Sequence, residues 1–577
     1  AQYPNPISLL EVTDKTTSDR VLVNGYLQAE PIKGLTLKAN LGVDRRYDKN
    51  KSYVPNTTVA GAAKGGIANI LQRDNIDYLM ELTANYTKDF GNHSLTALVG
   101  YSYQQFNQES VYAGNEDFST DGFLYNNLQA GAGTKPYVNS SARKSALGSY
   151  FARANYSYLG KYLLTVTVRA DGESNFHPDY RWGYFPSVSA GWRFSDEEFM
   201  KPLSSILSNG KLRASYGQTG NSNIGNYMTD SYGVVSGWVF GNDGYMGTAI
   251  TKRGNKKLTW ETTSEFNIGL DLGFFDNRIS LSMEYYNRII SDLLVSNKSL
   301  PAYNEINTIA ANIGKTQGRG FELTLSTVNI MNKDWTWSTD FTFYTFKDNW
   351  YERDPNWKPA AYESKKDPIR SYYSYVSDGL LQVGEKAPAW QPTLVPGQIK
   401  LKNLYDTGTS PNVLDQYDKV NLGSQDPKCT LGLNNTLRYK NLDFNIYFYG
   451  EIGRLRGASY YDAWIVGLGN SLTNVSQQSL HSYTNANQNT TVPNLIESAY
   501  DFGDYYHKKI NYLRCRNITL GYTIPVSKSI ANSVRISANV SNPFVFTNWN
   551  GVDPETDTGN FSYPNVTSFS FGIDISF

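Results

Sequence analysis

The chain has 577 residues, enough for several ordinary domains or one large repetitive one, and its 53 Lys and Arg are matched by 53 Asp and Glu. Neutrality without charge runs excludes a nucleic-acid-binding stripe or a solvating tail. With mean hydropathy at −0.47, no apolar run approaches the ~18–20 residues of a transmembrane helix, a test that β-strands escape because only every second residue meets lipid.

Aromatic residues make up 14% of the chain, with 44 Tyr and 11 Trp. Rings that are apolar at one end and wet at the other suit membrane interfaces, and they suit carbohydrate stacking too.

The opening, Ala1-Gln2-Tyr3-Pro4, has no signal-peptide pattern and reads like the middle of something, so the chain is expected to be a fragment or processed piece of a longer protein. From there, alternating apolar and polar residues recur at Leu35–Val43, Ile76–Tyr86, Leu95–Tyr103, Tyr162–Arg169, Phe266–Phe274 and Ile279–Tyr285. The pattern continues through Phe321–Leu325, Trp335–Phe343, Leu431–Tyr439, Leu442–Phe448, Ile518–Ile524 and Val534–Val540. The longer ones, such as Leu35–Val43, Ile76–Tyr86 and Trp335–Phe343, reach the ~9–11 residues that cross a bilayer at a tilt. Short links rich in Gly, Asn and Asp join neighbours: Ile32-Lys33-Gly34, Gly91-Asn92-His93, Gly160-Lys161, Asp276-Asn277 and Met331-Asn332-Lys333.

Long polar stretches, 49–75, 108–144, 219–257, 349–426 and 453–511, alternate with those tight links and are expected to be loops. Periplasmic turns and external loops alternate in this way in outer-membrane barrels, whereas a globular sandwich would not carry several loops this long. Asp196 is expected to cap a short helix running towards Leu207, a periplasmic link larger than its neighbours.

The last segment alternates almost without error: Phe569, Phe571, Ile573, Ile575 and Phe577 on one face, Ser568, Ser570, Gly572, Asp574 and Ser576 on the other. An amphipathic strand ending on Phe577 fits the strand that closes a bacterial outer-membrane barrel. The expected fold is all-β, an antiparallel transmembrane β-barrel over residues 1–577 with about seventeen strands. An odd count with the last strand running inward makes the first run inward too, so a complete even-numbered barrel would lack its front end; about five strands would be missing from a 22-stranded one.

Seven patterns in order then carry a family resemblance: "GKYLLTVTVRADGESNF" (160–176) with "WGYFPSVSAGWRFSDEEFM" (182–200), "KLRASYGQTGN" (211–221), "LTWETTSEFNIGLDLGFFDNRISLSMEYYNR" (258–288), "NIGKTQGRGFELTL" (312–325), "YLRCRNITLGYTIP" (512–525), "SNPFVFTNWNGVDPE" (541–555) and the terminal "SFSFGIDISF". Together they resemble the SusC/RagA-like family of TonB-dependent outer-membrane transporters, from "NPISLLE" (5–11) to the end. The resemblance implies a 22-stranded barrel closed by an amino-terminal plug and energised through TonB. It also implies a SusD-like lipoprotein lid, oligosaccharide or oligopeptide cargo, and two transporters paired with two lids, in a bilayer bearing lipopolysaccharide. The plug, the TonB-contacting segment and any preceding small domain have no counterpart in these residues.

Individual residues carry narrower expectations. The histidines His93, His177, His481 and His507 lie far apart without metal-ligand spacing, so no catalytic or metal role is expected of them. No cofactor is expected, although Asp406, Asp415 and Asp418, in a loop without regular Ca²⁺-loop spacing, are a possible cation site beside the plainer reading of a solvated turn. Trp350, Tyr351, Trp357 and Trp390 in one loop, and Tyr460, Tyr461 and Trp464 in another, are candidate cargo contacts, or packing between loops or against a lid. Trp335 and Trp337, at a strand start, are expected at the lipid interface. Asp443, Asn445 and Tyr447, with Arg535, Ser537 and Asn539, are expected to face the lumen and plug. Parity places Cys429 with Leu431 and Leu433, and Cys515 opposite Ile518 and Leu520, so no disulfide is expected. No chemical change to the cargo is expected. The rivals are a barrel-embedded hydrolase, a passive porin and a secreted glycan-binding β-protein.

Overall fold

The computed structural model describes residues 7–134, 136–240, 243–301, 303–304, 306–405, 412–457, 477–494, 502–526, 531–556 and 564–577. Its seventeen-stranded sheet comprises β1 Thr13–Ile32, β2 Leu35–Val54, β3 Ile67–Phe90, β4 His93–Glu116, β5 Tyr137–Tyr158 and β6 Tyr162–Glu173, then β7 Trp182–Trp192, β8 Leu207–Asn221, β9 Glu261–Phe274, β10 Ile279–Ser291, β11 Lys315–Met331 and β12 Trp335–Glu352, and finally β13 Cys429–Tyr439, β14 Leu442–Arg456, β15 Lys508–Ile524, β16 Ser533–Thr547 and β17 Ser568–Ser576. The strand count and the alternation of tight turns with long connections agree with the sequence pattern. Gly34, Gly91 and Gly160 hold the positive φ that three of those turns need (84°, 61° and 68°).

Two compact units divide the chain: Ala1–Ala190 with Gly217–Thr263 and Asp292–Ile313, and Gly191–Tyr216 with Ser264–Ser291 and Gly314–Phe577. In the first unit β1 to β6 pair consecutively and antiparallel. In the second, β10 to β17 do the same.

Alternation decides which face meets lipid. On β17, Phe569 and Phe571 are 69% and 84% exposed, and they sit opposite Val540 and Ala538 of β16. Such exposure of large apolar side chains is costly in water and favourable in hydrocarbon. Tyr162, Leu164, Val166 and Val168 form the same kind of face on β6. At the turn ends, Phe90, His93, Tyr158 and Tyr162 make a chain of ring contacts, and Trp335 lies 4.3 Å from Tyr439 by ring centroids. Trp335 and Trp337 are both part-exposed on the outer face, as interface aromatics should be.

Three expectations change. Much of 49–75 and 108–144 is strand, because β3 and β4 run 24 residues each, about 80 Å at ~3.4 Å per residue. Above the bilayer both faces meet water, so pairing continues while the hydrophobic alternation that betrays a strand disappears. Asp196 ends one 3-10 turn, Phe194–Asp196, and caps nothing; a second, Glu198–Leu203, follows with Pro202 inside it, whose missing N–H is incompatible with a continued α-helix. Cys515 sits opposite Phe448 and Phe544 rather than on the polar side, because a register shift against β14 makes Arg516 an inserted residue there, while Asn542 and Pro543 of β16 bulge past it. Both cysteines are free.

Candidate functional site: a polar inner wall and structured outer loops

Residues opposite the lipid face build the inner wall. In the second unit Asp443 on β14 receives Nε and Nη2 of Arg535 on β16, at 3.0 and 2.6 Å. The intervening strand contributes Gly521, where a Cβ would lie 2.3 Å from the guanidinium and 2.6 Å from the carboxylate. Arg288 on β10 likewise reaches Asp348 on β12 at 3.0 Å across Gly318. In both rows the missing side chain lets a long arginine lie flat against the wall. Forked pairs of this kind fix direction as well as charge.

Amides extend the network. Asn445 donates to Asn434 (2.8 Å) and Thr436 (3.0 Å), while Asn434 and Ser326 both donate to Asp340. Asn539 donates to Thr519 at 2.9 Å and to Asn517. Arg213 joins Asp271 and Glu284 at 3.1 and 2.7 Å. Asp443, Asn445, Arg535 and Asn539 therefore lie on one face; Asp443 and Arg535 engage each other, whereas Asn445 and Asn539 bond to neighbouring amides and hydroxyls. Phe577, just beyond β17, is 86% exposed.

Nearer the outer end of β15, the inserted Arg516 brings two arginines to one carboxylate. Arg514, 3% exposed, donates to Asp553 (2.8 Å) and Glu555 (2.9 Å), and Arg516 donates to the other oxygen of Glu555 (2.8 Å). Asp553 also accepts the backbone N–H groups of Glu555 and Thr556. The Gly551-Val552-Asp553-Pro554-Glu555 connection is thereby clamped against the barrel wall. The motif is visible in the sequence; its partners are not, since they lie about forty residues away.

The two longest outer connections carry a core of their own, with Leu380, Ile399, Leu401, Tyr483 and Tyr506 buried together. Short ribbons, Ser371–Tyr375 with Lys419–Ser424 and Ser377–Leu380 with Ile399–Leu401, frame it. Asp504 accepts both the backbone N–H and the hydroxyl of Ser377, at 2.7 and 2.6 Å. Burial, reinforced by the Asp367 carboxylate, pushes the Tyr373 phenol up to about 12. The Lys400 ammonium holds the Glu385 carboxyl below its ordinary range.

Among the predicted loop aromatics, Trp350 and Trp357 flank the Arg353 guanidinium, which lies 4.9 and 4.2 Å from their ring centroids. Trp390 donates its indole N–H to Leu401 at 2.8 Å, and Tyr351 is exposed. Tyr460, Tyr461 and Trp464 lie outside the described residues, as does Asp406. Asp418 is fully buried and accepts the N–H groups of Leu404, Tyr405 and Asp415, forming a reciprocal cap with Asp415. Among the described residues no group of three His, Cys, Asp or Glu could hold a metal ion. His93 contacts Tyr156 (2.7 Å) and His177 contacts Asp179 (3.3 Å).

In the first unit, the inner face near the outer end of β3 to β6 opens into a polar cleft. A cavity of about 480 Å³ is lined by Asp171, Asn175, Asn221, Asn223 and Trp260 among others. A second, of about 280 Å³, lies against Asn75, Asp77, Gln108 and Arg143. Ser145 and Asn226 line both. Sequence reasoning missed this cleft because its residues come from three polar stretches read as plain loops, 49–75, 108–144 and 219–257, and from strands read only for their alternation.

Residues 2–542 match the model of the family described as TonB dependent receptor-like, beta-barrel. The chain belongs to that family. A TonB-dependent receptor, P3, of Formosa agariphila is 32% identical over 605 residues, covering 99% of this chain and 60% of the relative. The TonB-dependent receptor SusC of Bacteroides thetaiotaomicron is 28% identical over 600 residues, covering 99% and 57%. The structure of the RagAB peptide transporter superposes with a TM-score of 0.84 at 26% identity, covering 99% of this chain and 63% of that one. The chain thus spans about 60% of the length of its curated relatives, and like other TonB-dependent receptor barrels it belongs in the bacterial outer membrane.

Proposed function

We propose that the chain forms the barrel wall of an outer-membrane importer that takes up oligosaccharides or oligopeptides with energy delivered through TonB, in partnership with a SusD-like surface lipoprotein. The observation that carries this reading is the match along 99% of the chain to the RagAB peptide transporter at a TM-score of 0.84, together with the similarity to SusC. In this reading a separate plug domain sits against the inner wall, and transporter and lid pair as a dimer of pairs.

The cargo crosses unaltered. A hydrolase at the rim gains no support from His93, which belongs to the aromatic contacts at a tight turn, or from His177, whose acidic neighbour Asp179 is two residues away. Purification of the native assembly in mild detergent, with mass spectrometry of every co-purifying chain and small molecule, tests the proposal. A plug-bearing polypeptide and a surface lipoprotein are the expected companions. A barrel that purifies without either, in cells whose uptake survives loss of TonB, overturns it.

A further inference from the structure

Where Gly34, Gly91 and Gly160 let strands meet in tight turns, β7 and β8 are separated by the whole of 193–206, built as two short 3-10 turns. The backbone of this segment is tied to the second unit. Phe275 donates its N–H to the Ile206 carbonyl at 2.9 Å, and Asp276 donates to Ser208 Oγ at 2.7 Å. Both donors belong to the tight turn between β9 and β10, so the segment lies at the tight-turn, periplasmic end of the wall.

Strand parity shows which face it covers. Arg213 reaches the inner residues Asp271 and Glu284, so the even positions of β8 point outward, where Leu212 and Tyr216 are exposed. Gly210 shares that outward face. A Cβ there would stand 2.5 Å from the Phe194 ring, so the segment folds back over the outside of the wall instead of passing beneath the lumen. Trp192 holds the aromatic group in place. Its ring meets Phe194 and Phe199 at centroid distances of 5.8 and 6.5 Å, and its indole N–H donates to Glu197 at 3.1 Å.

The apolar side chains beyond this group stay open. Phe199 is 65% exposed and Leu203 48%, with Ile206 and Phe275 exposed beside them. Such a patch is costly in water, and it is continuous with an outer face that meets hydrocarbon. Polar ends complete the pattern: Arg193 pairs with Asp196 at 3.2 Å and Lys201 with Glu198 at 2.7 Å. Both cations of the segment thus have a carboxylate within it, which leaves no positive excess to draw it to an anionic surface. We infer that 193–206 is an interfacial anchor on the phospholipid leaflet of the outer membrane. Phe199, Leu203, Ile206 and Phe275 lie among the acyl chains, and the ion pairs lie among zwitterionic headgroups. An anchor outside the strands fixes the depth and tilt of the wall in its bilayer. The inference concerns the wall in its membrane and is independent of cargo and lid.

The intact receptor assembly, reconstituted into phosphatidylethanolamine vesicles doped with a phospholipid bearing a diazirine on its acyl chain, tests the anchor. After irradiation, adducts are mapped by mass spectrometry, with Phe571 of β17 as the reference for a side chain in hydrocarbon. Adducts at Phe199, Leu203 and Ile206 should reach the Phe571 yield to within about threefold, and added phosphatidylglycerol should leave them unchanged. A segment left unlabelled while Phe571 is labelled overturns the anchor. Labelling that appears only with phosphatidylglycerol overturns the zwitterionic assignment. In cells, a photoreactive benzoylphenylalanine in place of Phe199 should give lipid adducts. A discrete cross-link there to a periplasmic protein, or to a second copy of this chain, would show that the patch is a protein interface and overturn the inference.

Discussion

Arg535 and Asp443 sit two strands apart, yet two hydrogen bonds of 3.0 and 2.6 Å join them, because the strand between them presents Gly521 at the crossing point. The inner wall thus exchanges packing volume for a flat, directional ion pair, and Arg288, Gly318 and Asp348 repeat the arrangement.

Gly521→Ala should push the Arg535 side chain off Asp443, since the new Cβ would stand 2.3 Å from the guanidinium. Both obstructing groups are flexible tips, so the expected cost is modest, about 1 kcal/mol. Asp443→Asn should cost a similar amount, and the two changes together little more than either. A double-mutant cycle on the unfolding midpoint that returned additive effects would contradict the coupling.

The clamp around Arg514 should be much less tolerant. With Arg514 3% exposed and Asp553 5% exposed, Asp553→Leu leaves a buried guanidinium short of one carboxylate and should loosen the connection by about 3 kcal/mol. Removing both charges, as Arg514→Met with Asp553→Leu, should recover part of that loss. Hydrogen exchange across 545–556 reads the outcome; equal protection in the single variant and the native chain would refute the clamp.

Lipid contact on the last strand predicts a third effect. Phe571 is 84% exposed opposite Ala538. Phe571→Arg should destabilise the inserted barrel by about 2–4 kcal/mol if the position is near the bilayer midplane. Phe571→Leu should cost far less. Refolding into lipid vesicles with urea titration separates the two, and near-equal stabilities would show that this face does not meet hydrocarbon.

The outer-loop core should respond to acid through Glu385. Because Lys400 lowers its folded-state pKa, the contact contributes in full above the ordinary glutamate range, near 4.5, and is lost as pH falls through the lowered value. Exchange protection around Leu380 and Ile399 should therefore fall as the pH drops beneath the ordinary glutamate range, and Glu385→Gln should flatten that dependence. Identical acid profiles for both proteins would assign the loss to another carboxylate.

How far the sequence reached depended on solvent. Where a strand separates hydrocarbon from a wet lumen, as in β6, β16 and β17, side-chain alternation is forced, and direction, face and turn were all legible. The inner positions Asp443, Asn445, Arg535 and Asn539 followed from the same parity. Beyond the bilayer that contrast vanishes, so the long upper parts of β3 and β4 and the ribbons of the outer loops were invisible to it. A single inserted residue, Arg516, was enough to reverse the face of Cys515.

The chain alone, then, determined a barrel wall with an apolar exterior, a polar interior and turns on one side, because a period of two is written residue by residue. Only the tertiary structure decided which polar groups meet. Arg535 finds Asp443 from 92 residues away, and Ser145 lines a cleft with Asn226 through strand register and loop return. Such partnerships depend on pairing across many strands, and no local pattern records them.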